Sequence, residues 1–162
     1  MFKKIIIAAV LFTVVVSCGK NKSAFKYSQD VVAKERSLQP DIEATESNVG
    51  RYVTAEQYDS IAIAGKNMED IVQKKIDEID KMPLPSAKGA ADFKAAIMRY
   101  FAYIKSMYTG YKNWGSAGTE EARTTELDNI KKLIEDKDAA IKEMQDAQKK
   151  YADDNGFKVE DK

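Results

Sequence analysis

Histidine is absent from this 162-residue sequence, and cysteine occurs once, as Cys18. The absence of histidine removes the commonest general base, metal ligand and physiological pH switch. A lone cysteine cannot form an intramolecular disulfide, so a folded body must depend on its hydrophobic core, which a chain of this length can build. Only 3 prolines and 8 glycines accompany a charged fraction of 32%, a balance typical of helical proteins rather than sandwiches or barrels.

Neither sign of charge is in excess, because 26 basic residues balance 26 acidic ones. We therefore expect no nucleic-acid-binding surface. The di-iron sites of helical bundles use Glu-x-x-His motifs, which a chain without histidine cannot form. Serine and threonine likewise lack a histidine to activate them. The sequence predicts a protein without metal or cofactor that is not an enzyme.

The first 17 residues have the pattern of a secretory signal. Lys3 and Lys4 precede an uninterrupted apolar run from Ile5 to Val16, and the small residue Ser17 follows. As a helix this run would rise about 18 Å, short of the ~30 Å hydrocarbon core, so a permanent membrane span is not expected. We predict a cleavable signal over residues 1–17, and a helix from Ile5 to Val16 outside the folded body because it has no amphipathic face.

The end of this signal, Val15-Val16-Ser17-Cys18, resembles the bacterial lipobox. In that family of signals the cysteine thiol is acylated with diacylglycerol and a peptidase cuts before it. The resemblance implies a mature protein that begins at Cys18 and is held to a membrane by lipid, and two or three acyl chains give stable anchoring. Residues 18–23 are then the lipidated cysteine with a short polar tether, and residues 24–162 form the domain.

The residues after Cys18 bear on location. Gly19 is not the aspartate that in enterobacterial lipoproteins resembles an inner-membrane retention signal, which favours the outer membrane of a Gram-negative bacterium. Surface-displayed Bacteroidetes lipoproteins often carry acidic residues here, whereas this chain has Lys20 and Lys22. We therefore expect the domain to face the periplasm.

Two helical stretches are predicted in the first half of the domain. The first covers 23–48, with a kink or break at Pro40, because proline disfavours helix at the preceding residue, and an end at Gly50. The second covers 55–81 and begins with a capping box formed by Thr54 and Gln57. Within the second, the small residues of 62–65 favour a close helix crossing.

Two further stretches cover 87–114 and 119–154. In the third, large apolar residues recur in alternating steps of four and three, at Phe93, Ile97, Tyr100, Ile104, Met107, Tyr111 and Trp114. A flexible turn is predicted at 115–118. The fourth begins with Thr119 as N-cap and ends at Gly156, with Phe157 folded back.

Long helices joined by short turns pack as antiparallel neighbours. The sequence therefore predicts an all-α protein, an up-down-up-down four-helix bundle with the left-handed twist of coiled coils. The most buried residues are expected to be Ile97, Tyr100, Ile104, Ile130 and Ile134.

Two roles are compatible with this bundle. The first is a non-catalytic structural or interaction protein whose outer surface meets an unknown envelope protein. The second is a module that holds a small apolar ligand between the third and fourth stretches, which requires a cavity with a few convergent polar groups. Its candidate ligand-facing residues are Tyr100, Tyr111 and Trp114, with Lys137 and Gln148, which interrupt the apolar face of the fourth stretch. The regular series of bulky residues on the third stretch favours a filled core and the first role.

The whole chain also resembles small helical lipoproteins of Bacteroidetes and spirochaetes. The resemblance depends on Ser17-Cys18-Gly19-Lys20, on the four-helix layout and on the terminal segment from Gln148 to Val159. It implies a location in the cell envelope and assigns no functional residue besides Cys18.

Overall fold

The computed structural model describes the backbone of Thr13–Val15 and residues 21–160. Six helices, α1 to α6 in chain order, form the body: Lys22–Arg36, Gln39–Thr54, Tyr58–Asp80, Ala90–Ser116, Glu120–Glu135 and Lys137–Asn155. Two short strands, β1 (Thr13–Val15) and β2 (Lys158–Glu160), complete the elements. The predicted all-α class is confirmed.

Side-chain contacts establish the directions of the helices around α4. Tyr27 of α1 meets Phe93, and Glu46 of α2 meets Tyr111, so the α1–α2 segment runs parallel to α4. Helix α3 runs antiparallel to α4, because Glu69 contacts Lys112 and the later residue Gln73 contacts the earlier residue Lys105. The α5–α6 segment is also antiparallel to α4, because Leu133 contacts Tyr103 and the later residue Tyr151 contacts the earlier residue Phe93. The four segments therefore form an up-down-up-down bundle as predicted, with the first and last each divided into two helices.

The first division lies just before Pro40. Helix α1 ends at Arg36, and Pro40 occupies the first turn of α2, where its missing N–H has no intrahelical partner to lose. The predicted end at Gly50 is wrong, because α2 continues to Thr54. There the Thr54 hydroxyl donates to the Gly50 carbonyl at 3.0 Å, so the predicted capping box is also wrong. The chain reverses at Glu56, which has a φ of 54°.

The second division is at Asp136, where the predicted fourth helix separates into α5 and α6. At the start of α5, the Thr119 side chain accepts a hydrogen bond of 3.1 Å from the Ala122 N–H, which confirms the predicted N-cap. Gly156, with a φ of 74°, ends α6 in the left-handed conformation that glycine tolerates. Phe157 then folds back and is 3% exposed, also as predicted.

Helices α3 and α4 cross at two glycines, and their contact is the most extensive in the bundle. A Cβ atom on Gly65 would lie 2.5 Å from the backbone nitrogen of Lys112, and one on Gly115 would collide with the backbone of Tyr58 and Ala62. The close crossing expected at 62–65 is confirmed. The flexible turn predicted to begin at Gly115 is wrong, because Gly115 is a buried helical residue at that crossing.

The core lies along α4. Ile97, Tyr100, Ile104 and Ile130 are each at most 2% exposed, as predicted. Ile134 is only half-buried, so its predicted place in the core is wrong. Helix α5 lies at the margin of the bundle, and Ile130 is the one buried residue along the fully described α5.

The prediction of a helix from Ile5 to Val16 that lies outside the folded body is wrong at Thr13–Val15, which form β1 and contact α1 and β2. This strand pairs antiparallel with β2, with Val14 opposite Val159. Threonine and valine are branched at Cβ, which favours extended backbone, and β2 provides an edge for pairing. Residues 1–12 and 16–20 of the predicted signal and tether lie outside the described residues.

Candidate functional site

Cys18, the predicted lipidation site, lies outside the described residues, but the point where the chain enters the bundle is described. Asn21 caps α1, since its side-chain oxygen accepts from the Ala24 N–H at 3.1 Å. Helix α1 therefore starts at Lys22, and the predicted tether of residues 18–23 ends two residues early. Cys18 lies three positions before Asn21 in the chain, a span of at most about 11 Å.

Asn155 joins three segments at this end of the bundle. Its side-chain nitrogen donates to the carbonyls of Lys88 and Tyr151 at 2.9 and 2.8 Å. Its side-chain oxygen accepts from the Asn21 amide at 3.1 Å. The start of α1, the loop before α4 and the end of α6 therefore meet at one end, which we call the anchor end.

Aromatic rings fill the interior behind the anchor end. Phe93 stacks on Tyr151 with ring centroids 4.8 Å apart, and Phe157 lies edge-on to Tyr151 and to Phe25. Aromatic pairs in these arrangements add stabilisation beyond the area that they bury. The segment after α6 is therefore packed against the bundle at least as far as Phe157.

The predicted ligand-facing residues are distributed along the bundle. Tyr100 and Tyr111 are buried and face the α1–α2 segment, beside Glu35 and Glu46 respectively. Trp114 is buried farther along, edge-on to Tyr58 of α3 at 6.0 Å.

The other two candidates lie on α6. Lys137 is the first residue of this helix and lies between Asp136 and Asp138, whose charges act on Tyr103. Gln148 lies three turns later and is fully buried. Tyr100 and Trp114 are separated by about 20 Å along α4, and Lys137 and Gln148 by about 16 Å along α6. The structure therefore does not bring the five residues together around one small pocket between α4 and the α5–α6 segment.

A buried group that the sequence analysis did not identify lies between α2 and α4. The Tyr111 hydroxyl donates to Oε2 of Glu46 at 3.1 Å, and Tyr108 approaches the same carboxyl. Burial raises the pKa of Glu46 to about 7, while the hydrogen bond from Tyr111 and the nearby Tyr108 hydroxyl act to lower it. Burial and the neighbouring carboxylate raise the pKa of both tyrosines, so both hydroxyls remain protonated donors.

A second carboxyl of the same kind lies between α1 and α4. Glu35 is 5% exposed, and its carboxylate lies beside the Tyr100 hydroxyl. Burial, followed by the charge of Glu35, raises the pKa of Tyr100. The two pairs, Glu35 with Tyr100 and Glu46 with Tyr111, connect both halves of the α1–α2 segment to α4. We call them the carboxyl–tyrosine contacts.

These contacts connect the α1–α2 segment to α4. Within the described part of the chain, no group of three or more acidic or cysteine side chains is placed to hold a metal ion. Of the helices that the structure describes, none has the length and hydropathy needed to cross a bilayer. Comparisons with protein-family models, curated proteins and solved structures found no match to this chain.

Proposed function

We propose that this protein is a lipid-anchored component of the bacterial cell envelope, attached through Cys18. The support comes from the lipobox at the end of a signal-like segment and from the short connection that follows it. A folded helix begins at Lys22, immediately after the cap formed by Asn21. A body so close to its acyl chains stands directly on the membrane surface.

The role proposed for this body is non-catalytic, a structural or interaction role towards an envelope protein. The observation that carries it is the burial of large side chains along α4. The aromatic side chains that would line a ligand pocket are instead core residues, with Tyr100 and Tyr111 each 2% exposed. Large side chains buried in this way favour a packed interior, so we propose that the outer surface is the part that meets other molecules.

The outer surface is polar and mixed in charge. Neighbouring ion pairs such as Lys26 with Asp30 and Lys142 with Asp146 lie on it, with both partners exposed. Exposed pairs of this kind add little stability and keep a surface soluble. The proposed location is the periplasmic face of the outer membrane, where such a surface meets water and other envelope proteins.

Mass spectrometry of the protein purified from the membranes of a Gram-negative host tests the anchor. The expected mass is that of a chain beginning at Cys18 with added acyl groups. Cys18→Ser is the matched control, which should carry no acyl mass. An unmodified native chain that begins elsewhere would disprove the anchor.

Crosslinking in the intact envelope tests the interaction role. A photoreactive residue on the exposed face of α5, for example at Asp128, is expected to give one discrete protein adduct. Native mass spectrometry of the same purified protein examines the alternative. A retained small apolar molecule that dissociates on unfolding would favour the ligand-binding role over the proposed one.

A further inference from the structure

The loop between α3 and α4 presents an apolar tip at the anchor end. We call residues 82–85, Met82-Pro83-Leu84-Pro85, the proline loop. Leu84 is 49% exposed, and among the described residues it is one of two large hydrophobic side chains with high exposure. The other is Ile63, which is 62% exposed on α3.

The connection that contains the proline loop is held at the anchor end by Asn155. The chain continues from the loop to Lys88. The Asn155 side chain donates to the Lys88 carbonyl and accepts from the Asn21 side chain. Since Cys18 is at most about 11 Å of chain from Asn21, a lipid on that cysteine brings the same end of the bundle to the membrane. Ile63 lies about 25 Å along α3 from the loop, beyond the reach of that surface.

The backbone of the loop is suited to an apolar environment. Pro83 and Pro85 have no N–H group, and the N–H groups of Met82 and Ala87 are bonded within the loop region, to Ile79 and Pro85 at 3.1 and 2.8 Å. Backbone donors without a partner are the main cost of placing a loop at a membrane, so these features lower that cost.

The surroundings of the loop provide the polar contacts of an interface. Lys81 and Lys88 are exposed on either side of it, and long lysine side chains extend towards lipid headgroups while their stems follow apolar surface. Lys88 also pairs with Asp154, which Lys150 shares. The apolar tip provides the attraction, and these three lysines, set against one aspartate, add to it at an anionic bilayer.

We propose that the proline loop inserts Leu84 into the headgroup–acyl boundary of the membrane that holds the lipidated Cys18. The loop is then a second, non-covalent contact that keeps the bundle upright, with the Trp114 end farthest from the lipid. This inference depends on the proposed function, because without lipid on Cys18 nothing holds the loop at a bilayer.

Site-directed fluorescence on the native lipidated protein tests the insertion. The chain has one cysteine, and its sulfur is blocked once acylated, so Leu84→Cys introduces a single reactive thiol. The variant is labelled with an environment-sensitive dye and reconstituted in vesicles of phosphatidylethanolamine and phosphatidylglycerol. The bilayer includes lipids with a nitroxide on the upper acyl chain.

Two matched variants separate insertion from mere proximity. Ile63→Cys labels an exposed apolar site far from the anchor end, and Asp153→Cys labels an exposed polar site on α6 at the anchor end. Helical circular dichroism confirms that all three labelled proteins are folded. We expect blue-shifted emission and strong nitroxide quenching at position 84, and neither at positions 63 and 153.

Each other outcome overturns a specific statement. A dye at position 84 that remains in water, or equal quenching at positions 84 and 153, would show that the loop does not insert. The mass of each protein is measured first. A chain without acyl mass at Cys18 would overturn the proposed function, and with it the reason for the loop to meet a membrane.

Discussion

The hydroxyl of Tyr111 on α4 donates a hydrogen bond of 3.1 Å to Oε2 of Glu46 on α2. The carboxyl is buried, and its pKa is raised to about 7 from an ordinary value of 4.5. Between pH 4.5 and pH 7, Glu46 is therefore protonated in the folded state and ionised in the unfolded state. Through this group, the free energy of unfolding decreases as pH rises from 4.5 to 7 and is constant above.

Glu46→Gln should remove this dependence, since the amide oxygen can accept the Tyr111 hydrogen bond without ionising. We expect it to stabilise the protein by about 2 kcal/mol more at pH 8 than at pH 5, relative to the unchanged chain. Urea denaturation at both pH values measures the difference. Glu43→Gln, an exposed carboxyl on the same helix, is the control. An equal pH response of the two variants would contradict the burial of Glu46.

Gly65→Ala should destabilise the crossing of α3 and α4. The new Cβ would lie 2.5 Å from the Lys112 nitrogen and 2.8 Å from the Tyr108 carbonyl oxygen, both backbone atoms that cannot rotate away. We expect a loss of about 1–3 kcal/mol in the free energy of unfolding, measured by denaturant titration.

Gly50→Ala is the control for Gly65→Ala and should increase the free energy of unfolding rather than decrease it. Gly50 lies within α2, and no neighbouring atom is within 4 Å of an added Cβ. Alanine loses less backbone entropy in a helix, so this variant should gain roughly 0.5–1 kcal/mol. Changes of the same sign at the two glycines would show that the α3–α4 crossing is looser than the structure indicates.

Ile104→Ala should leave a cavity in the core along α4. Ile104 is 1% exposed, so we expect a loss of about 2–5 kcal/mol in unfolding free energy. Ile63→Ala removes the same atoms from a side chain that is 62% exposed and should change stability by under about 0.5 kcal/mol. A cost below about 1 kcal/mol at Ile104 would indicate a wrong assignment of the core.

Asn155→Ala should loosen the anchor end without changing the rest of the bundle. It removes the donor to Lys88 and the acceptor for Asn21, at a cost of about 1–3 kcal/mol. Hydrogen exchange should accelerate in the first turn of α1 and just before α4, and should be unchanged at the α3–α4 crossing. Asn129→Ala, on the exposed face of α5, should change neither. Uniform acceleration throughout the bundle would refute a local role.

The regular pattern on α4 allowed its length, direction and core face to be predicted. Large apolar residues in steps of three and four match the helical repeat so closely that Ile97 and Ile104 could be assigned only to the buried face. The divisions before Pro40 and at Asp136 were harder to place. The sequence around Pro40 is compatible both with a proline in the first turn of a new helix and with a proline that kinks one continuous helix. The structure shows the first arrangement, with Leu38 fully buried between the two helices.

The carboxyl–tyrosine contacts were not predicted from the sequence. Glu35 and Glu46 nevertheless fall on the apolar face of the first segment, in register with Val31, Leu38 and Ile42. A carboxyl at such a position, with tyrosines on the facing helix, is the signal that could have identified it. The position of Ile134 was also overestimated, since an apolar pattern shows which face is inward but not how deeply a marginal helix is covered.

The crossing of α3 and α4 also limits which sequences could share this architecture. Gly65 and Gly115 lie 50 residues apart, and each meets the backbone of the opposite helix. Neither position accepts another amino acid unless the two helices separate, whereas aromatic core residues can be exchanged for others of similar volume. A distant relative of this chain would therefore be recognised by glycine at both positions, long after the residues of its core and surface had diverged.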